Sequence, residues 1–263
     1  MNDHLSLYRV LNNLGNVYEH LGRHEEAREV FERALRVARI SGDPIGEGSV
    51  LLNLGIATRS LGEYEKANDH LDRALRHAQR QHDRINEARV SENLGLLHNL
   101  LDHYDVALAY EQRALAIAVE IGERTVEADA LTGLGTALAI GGDLRRAETH
   151  QRRALTVALT TGNQASEVYA RQELGTTLRR QGDFTQALSQ HQRALSLSLD
   201  LMDHPGQAAA HDGLAQTRIA MGEPDSARAH WHEALDLYEE MGTPRATNVR
   251  IALQTLGEGR EMP

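Results

Sequence analysis

The chain has 263 residues, 41% of them hydrophobic, and a formal net charge of -10 at pH 7, a balance that argues against a duplex-binding surface rich in Lys and Arg. With no cysteine it has no disulfides, thiol nucleophiles or thiolate metal sites. No apolar stretch approaches the roughly 18 residues that cross a bilayer, and the opening MNDHLSLYRV lacks the basic and apolar regions of a signal peptide, so a cytoplasmic location without a membrane partner is expected.

In chain order, the phrase NLGNVYEHLG at Asn13 introduces a Leu-Gly pair that returns every 40 residues. It stands at Leu14-Gly15, Leu54-Gly55, Leu94-Gly95, Leu134-Gly135 and Leu174-Gly175, and weakens to Leu214-Ala215. A lone alanine follows from Ala27 to Ala227, and an Ala-Leu pair from Ala34-Leu35 to Ala234-Leu235, both in the same phase. Six copies in register predict a repeat architecture.

The first copy, residues 4–43, places Val10, Leu14, Val17 and Leu21 on one face of a 3.6-residue period, predicting a helix with that face in the core. Ala27, Phe31, Ala34, Leu35 and Ala38 mark a second helix, and the glycine of LGR closes the turn between them. The second copy, residues 44–83, begins after Asp43 as an N-cap candidate, with Pro44 at the first helical position. Copies at 84–123, 124–163, 164–203 and 204–243 follow, with Asn163 and Thr243 as further N-cap candidates and Pro244 again at a first helical position. Residues 244–257 predict a capping helix that covers the last hairpin through Val249, Ala252, Leu253 and Leu256, and 258–263 a tail. The first helix has no matching cap, so a further segment upstream is expected. The fold class is all-α: a superhelical solenoid of six helical hairpins plus a C-terminal capping helix.

Leu14-Gly15, Tyr18, Ala27, Phe31 and Ala34 resemble the tetratricopeptide repeat signature. The 40-residue unit is similar to the longer-helix subclass found in Pins-type polarity adaptors and in the C-terminal domains of actinobacterial antibiotic-regulatory transcriptional activators. DPIGEG, HQRRAL and ARAHWHEALDLYEEMG are most similar to the latter, and Lys66 as the only lysine fits a GC-rich bacterial coding sequence. The resemblance implies a right-handed superhelix whose inner wall is formed by the first helix of each repeat. It further implies a module that binds a peptide or protein segment in its groove, as the sensor of a bacterial transcriptional regulator. Two features depart from the family. The early tryptophan is replaced by Leu11 or Leu51, and the Phe31 position becomes Leu71, Glu111, Gln151, His191 and Trp231. The middle repeats are therefore expected to pack that position less tightly or to turn it toward solvent.

Placed on such a superhelix, four rows face the hollow. One runs through Asn13, Asn53, Asn93, Gly133, Glu173 and Gly213, and another from Asn16 through Ile56, Leu96, Thr136 and Thr176 to Gln216. Arg9, Ser49, Arg89, Asp129 and Tyr169 form a third; Asn12, Leu52, Glu92, Thr132 and Gln172 form a fourth. An Asn amide donates and accepts, so a ladder of them can hydrogen-bond an extended backbone. Arg9 and Arg89 can clamp a carboxylate, and Arg59 extends a basic strip. By resemblance, Asn13, Asn16, Asn53, Arg89 and Asn93 bind the peptide; Arg9, Asn12, Arg59 and Glu92, from the inward rows and the basic strip, complete the expected set.

No phosphate loop or nucleophile elbow occurs, and the glycines of GLGTALAIGG are explained by the repeat phase. His20 and His24 flank a turn and need not share a face. No enzyme activity, cofactor, metal or direct nucleic-acid contact is expected, and Tyr169 and Trp231 are too sparse to suggest small-molecule sensing. The alternative function is a self-assembling scaffold, a homo-oligomer stacked end to end through the N-terminal hairpin.

Overall fold

The computed structural model describes residues 2–258, and the side-chain surroundings of residues 5–256. Among the described residues there are thirteen α-helices and no strand. The first four hairpins pair α1 (Asn2–His20) with α2 (His24–Ser41), α3 (Pro44–Ser60) with α4 (Tyr64–Gln81), α5 (Arg84–Leu100) with α6 (Tyr104–Ile121), and α7 (Arg124–Ile140) with α8 (Leu144–Thr161). The last two pair α9 (Gln164–Gln181) with α10 (Phe184–Asp200) and α11 (His204–Ala220) with α12 (Pro224–Glu240), and α13 (Arg245–Glu258) closes the C-terminal end.

The helix ends follow from local chemistry. Asp43 accepts the Gly46 backbone N–H at 3.1 Å with Pro44 in the first turn, and Asn163 caps α9 by accepting from Ser166. Thr243 does not act this way: α13 begins at Arg245, and the Thr243 hydroxyl has no hydrogen-bond partner. Most turns carry a glycine in the left-handed region, but three use His82, Asp102 and Met202, at φ 54, 57 and 54°.

Packing explains the recurring glycine. A Cβ at Gly15 would overlap the Phe31 ring, one at Gly55 would stand 2.6 Å from Leu71, and one at Gly175 would stand 2.7 Å from the His191 ring. In the first five hairpins the even-numbered helix thus seats one side chain on the bare backbone of its partner, whereas the sixth has Ala215 at this phase. The expectation that the middle repeats turn this position outward is overturned. Glu111 and Gln151 are completely buried and His191 is 1% exposed, because the glycine clefts receive whatever side chain stands there.

A second correction concerns the first copy. Val10, Leu14 and Val17 do not enter the core; Leu14 is 40% exposed, whereas Leu54, at the same phase of α3, is 1% exposed. In later repeats that face packs against the preceding hairpin, and among the described residues no hairpin covers it on α1. At the other end Val249 is buried, and Ala252, Leu253 and Leu256 pack against Trp231, Tyr238 and Met241.

The solenoid also curls until its ends meet. The His20 ring nitrogen lies 3.0 Å from the Leu201 carbonyl oxygen, and Gly22 lies against Met241 and Gly62 against Pro244. The anticipated groove is therefore closed into a lumen. No helix among the described residues is long and apolar enough to cross a membrane.

A charged lumen as candidate functional site

Successive odd-numbered helices turn the same phases inward, and their side chains enclose three spaces. The largest, about 940 Å³, is lined by Glu92 and Leu96 of α5, Asp129 of α7, Tyr169, Gln172 and Glu173 of α9, Gln216 of α11, and Arg245 at the start of α13. A second of about 370 Å³ shares Arg59, Leu96, Tyr169, Glu173 and Arg245 with it. A third, about 350 Å³, lies at the N-terminal end. Volumes of this order suit a ligand of a few residues or a small molecule.

The structure brings part of the expected set together. Asn12, Asn16, Asn53 and Arg89 line the N-terminal cavity, where the Asn53 amide donates to the Asn12 side-chain oxygen at 2.9 Å. Asn93 is buried and engaged in internal bonds. Its oxygen accepts from Arg59 at 3.1 Å, and its nitrogen donates to the Arg89 carbonyl and to Glu92 at 2.9 and 2.6 Å. Arg59 and Glu92 remain on the wall of the main cavity. Asn13 is exposed and lines none of the three spaces. Arg9 is also exposed, and its guanidinium donates to the Tyr8 hydroxyl at 3.4 Å.

Residues outside that set dominate the middle of the lumen. Glu92, Asp129 and Glu173 share the main cavity's wall with Tyr169, all four half-buried. Burial, then the Asp129 charge, pushes the Glu92 carboxyl up to about 8, although Arg59 and Arg89 oppose this. Burial likewise lifts Asp129 to about 6, against the Ser166 hydroxyl and Arg89. Glu173 is raised by burial, less the hydrogen bond it accepts from Thr136 at 2.9 Å and the pull of Arg245. The Tyr169 phenol is held well above its usual value by burial and by Glu173, Glu111, Glu92 and Asp129 together.

Beneath this wall lies Glu111. Neither of its carboxylate oxygens has a hydrogen-bond partner, and a Cβ on Gly133 of α7 would overlap them. The space left by the missing side chain of Gly133, in the Asn13 row, is thus taken by the Glu111 carboxylate. Burial first, then Glu92 and Asp129, raises Glu111 well above the carboxylate range. Asp129, Tyr169 and Glu173 lie in the inward-facing rows that the repeat phase defines, although neither an amide ladder nor a basic clamp includes them. Trp231 and Tyr169, judged too sparse from the sequence, line one cavity.

Comparison with known proteins agrees with this architecture. The Tetratricopeptide repeat family matches residues 5–80, 46–120, 126–200 and 164–240. No curated protein matches. Among solved structures, a Rap protein complexed with competence and sporulation factor is 14% identical, with a TM-score of 0.71 over 96% of this chain and 75% of that one. BtubC from P. vanneervenii is 22% identical, with a TM-score of 0.56 over 85% and 91%. A signal transduction ATPase with numerous domains and a tetratricopeptide repeat sensor, from Pyrococcus horikoshii, is 17% identical, with a TM-score of 0.58 over 96% and 39%. At these identities the likeness is one of fold, while the family match runs through nearly the whole chain. The protein belongs to the tetratricopeptide repeat family, an interaction module built here as six hairpins wound around a polar lumen.

Proposed function

We propose that the chain captures an extended peptide inside its lumen, as the sensing arm of a bacterial transcriptional regulator. The observation that supports this reading is the lining of the lumen's cavities by regularly stepped rows from successive odd-numbered helices. Asn12 and Asn53 present side-chain amides in the N-terminal cavity and Gln172 and Gln216 in the main one, and each amide has more hydrogen-bonding capacity than one partner uses. A rigid wall of this kind lowers the entropy cost of ordering a bound chain. The similar Rap protein is complexed with competence and sporulation factor, and the similar archaeal ATPase carries its repeats as a sensor; both fit a sensing role here.

The test is equilibrium dialysis of a random pentapeptide pool, read by mass spectrometry. The unaltered protein retains peptides, and Asn53→Ala with Gln172→Ala weakens retention about tenfold, the worth of two hydrogen bonds of about 0.5–1.5 kcal/mol each. Equal retention by the variant, with helicity intact, would refute the amide-lined path.

A second reading draws on a different surface. Leu7, Val10, Leu14 and Val17 form an exposed apolar stripe on α1, where a preceding hairpin would stack, and end-to-end assembly of copies would cover it. Sedimentation equilibrium decides this: assembly requires a mass that rises with concentration, and a constant monomer mass rules it out.

A further inference from the structure

The middle of the lumen contains more carboxylate than its own arginines engage. Glu92, Asp129 and Glu173 come from three successive odd-numbered helices and share the cavity wall with Tyr169, whose phenol their charges raise. Behind them Glu111, buried with both oxygens unpartnered, fills the space beside Gly133, near enough to Glu92 and Asp129 for their charges to raise it. Arg59, whose guanidinium donates to the Asn93 side chain, and Arg89 lower Glu92 through their charges, and Arg89 lowers Asp129, without a direct ion pair to either carboxyl. Buried carboxyls gathered in this way are costly unless a positive charge joins them.

We propose that this niche is a subsite for the positively charged side chain of a peptide ligand, arginine or lysine, held between the Glu92 and Asp129 carboxylates and the face of Tyr169. The assignment rests on the peptide-binding reading above and names the chemistry at its centre. Among the described residues, no three His, Cys, Asp or Glu side chains are grouped closely enough to hold a metal ion. The carboxyls instead share one cavity wall with an aromatic ring, a combination suited to a cation with several N–H donors and a flat or rounded apolar surface. A guanidinium bonds two carboxylates through separate edges while stacking on the ring. Arg245, a second arginine of the cavity wall, acts on Tyr238, Glu173 and Asp212, so that it engages neither Glu92 nor Asp129.

The experiment uses the full chain and four pentapeptide pools with random flanks and Arg, Lys, Ala or Glu fixed at the centre, again in equilibrium dialysis. Arg- and Lys-centred pools are expected to be retained at least tenfold more than the Ala-centred pool, with the Glu-centred pool weakest. Glu92→Gln with Asp129→Asn should bring the Arg pool down to the Ala pool while leaving the Ala pool unchanged. If all pools are retained alike, the cation subsite is wrong and peptide capture stands. If no pool is retained, arginine amide is titrated against protein carrying fluorotyrosine. A shift of the Tyr169 resonance that is lost in the double variant keeps the cation site and removes the peptide. No shift removes the cation site as well.

Discussion

Gly22, in the first turn, lies against Met241, in the last hairpin: a Cβ added to Gly22 would stand 2.6 Å from both the Cγ and Sδ atoms of the methionine. Residues separated by almost the entire chain are thus in contact, and the contact is what makes a lumen of the groove. Met241 is also buried in the C-terminal cluster. Met241→Ala is expected to cost about 2–5 kcal/mol and to increase the radius of gyration in small-angle X-ray scattering as the ends part. A truncated variant that keeps the parent's dimensions would show that closure does not depend on this contact.

Leu14 and Leu54 share a repeat phase but not an environment, and their substitution should separate accordingly. Leu54→Ala removes a fully buried side chain and is expected to cost about 2–5 kcal/mol. Leu14→Ala should change stability by less than about 1 kcal/mol, since its surface already meets water. Equal losses in urea unfolding would mean that the α1 face is covered in solution.

Glu111 fills a cleft that holds Phe31 and Leu71 in the first two repeats. Glu111→Leu is predicted to stabilise the fold by about 1–4 kcal/mol at pH 8, because a buried unpaired carboxylate is exchanged for an apolar side chain. The gain should shrink toward pH 5. A carboxyl whose folded pKa is raised contributes most stability below its unfolded value and loses it as pH rises toward the folded value. Thermal unfolding at the two pH values measures the difference, and a gain that is the same at both would exclude ionisation as its cause.

The same sign applies to the lumen wall. Glu92 moves from 4.5 unfolded to about 8 folded, and Asp129 from 3.8 to about 6. Their contribution is present below pH 4 and is lost as pH rises to about 8. Facing them are Arg59, Arg89, Glu111 and the Ser166 hydroxyl. Unfolding free energy should therefore fall between pH 5 and 8, less steeply in Glu92→Gln. A cationic ligand favours the ionised forms, so its affinity should rise over the same interval, by up to tenfold per pH unit for each proton released. Affinity independent of pH from 5 to 9 would contradict the niche.

Repetition made much of this structure legible. A hairpin whose apolar faces are covered only by its chain neighbours can stack in just one order, so Gly55 beneath Leu71 and Ala67 between helices follow from spacing alone. Helical phase likewise indicates which side chains turn inward, and Tyr169 and Glu173 could be placed there before any coordinates. Pattern could not foresee the commitment of Asn93, whose amide is used by Arg59, Glu92 and the Arg89 carbonyl, because those partners depend on the inter-repeat offset. Nor could it foresee that Glu111 would be buried, since a lone carboxylate reads as solvent-facing until the Gly95 and Gly133 clefts are assembled around it. By itself the sequence determined the helices, their pairing and the inward phases, all set by contacts within a hairpin or with the next one. Only the tertiary structure decided that His20 reaches Leu201 and that carboxylates from three helices converge on one tyrosine. Those meetings sum small rotations over six repeats, and no local stretch of residues encodes such a sum.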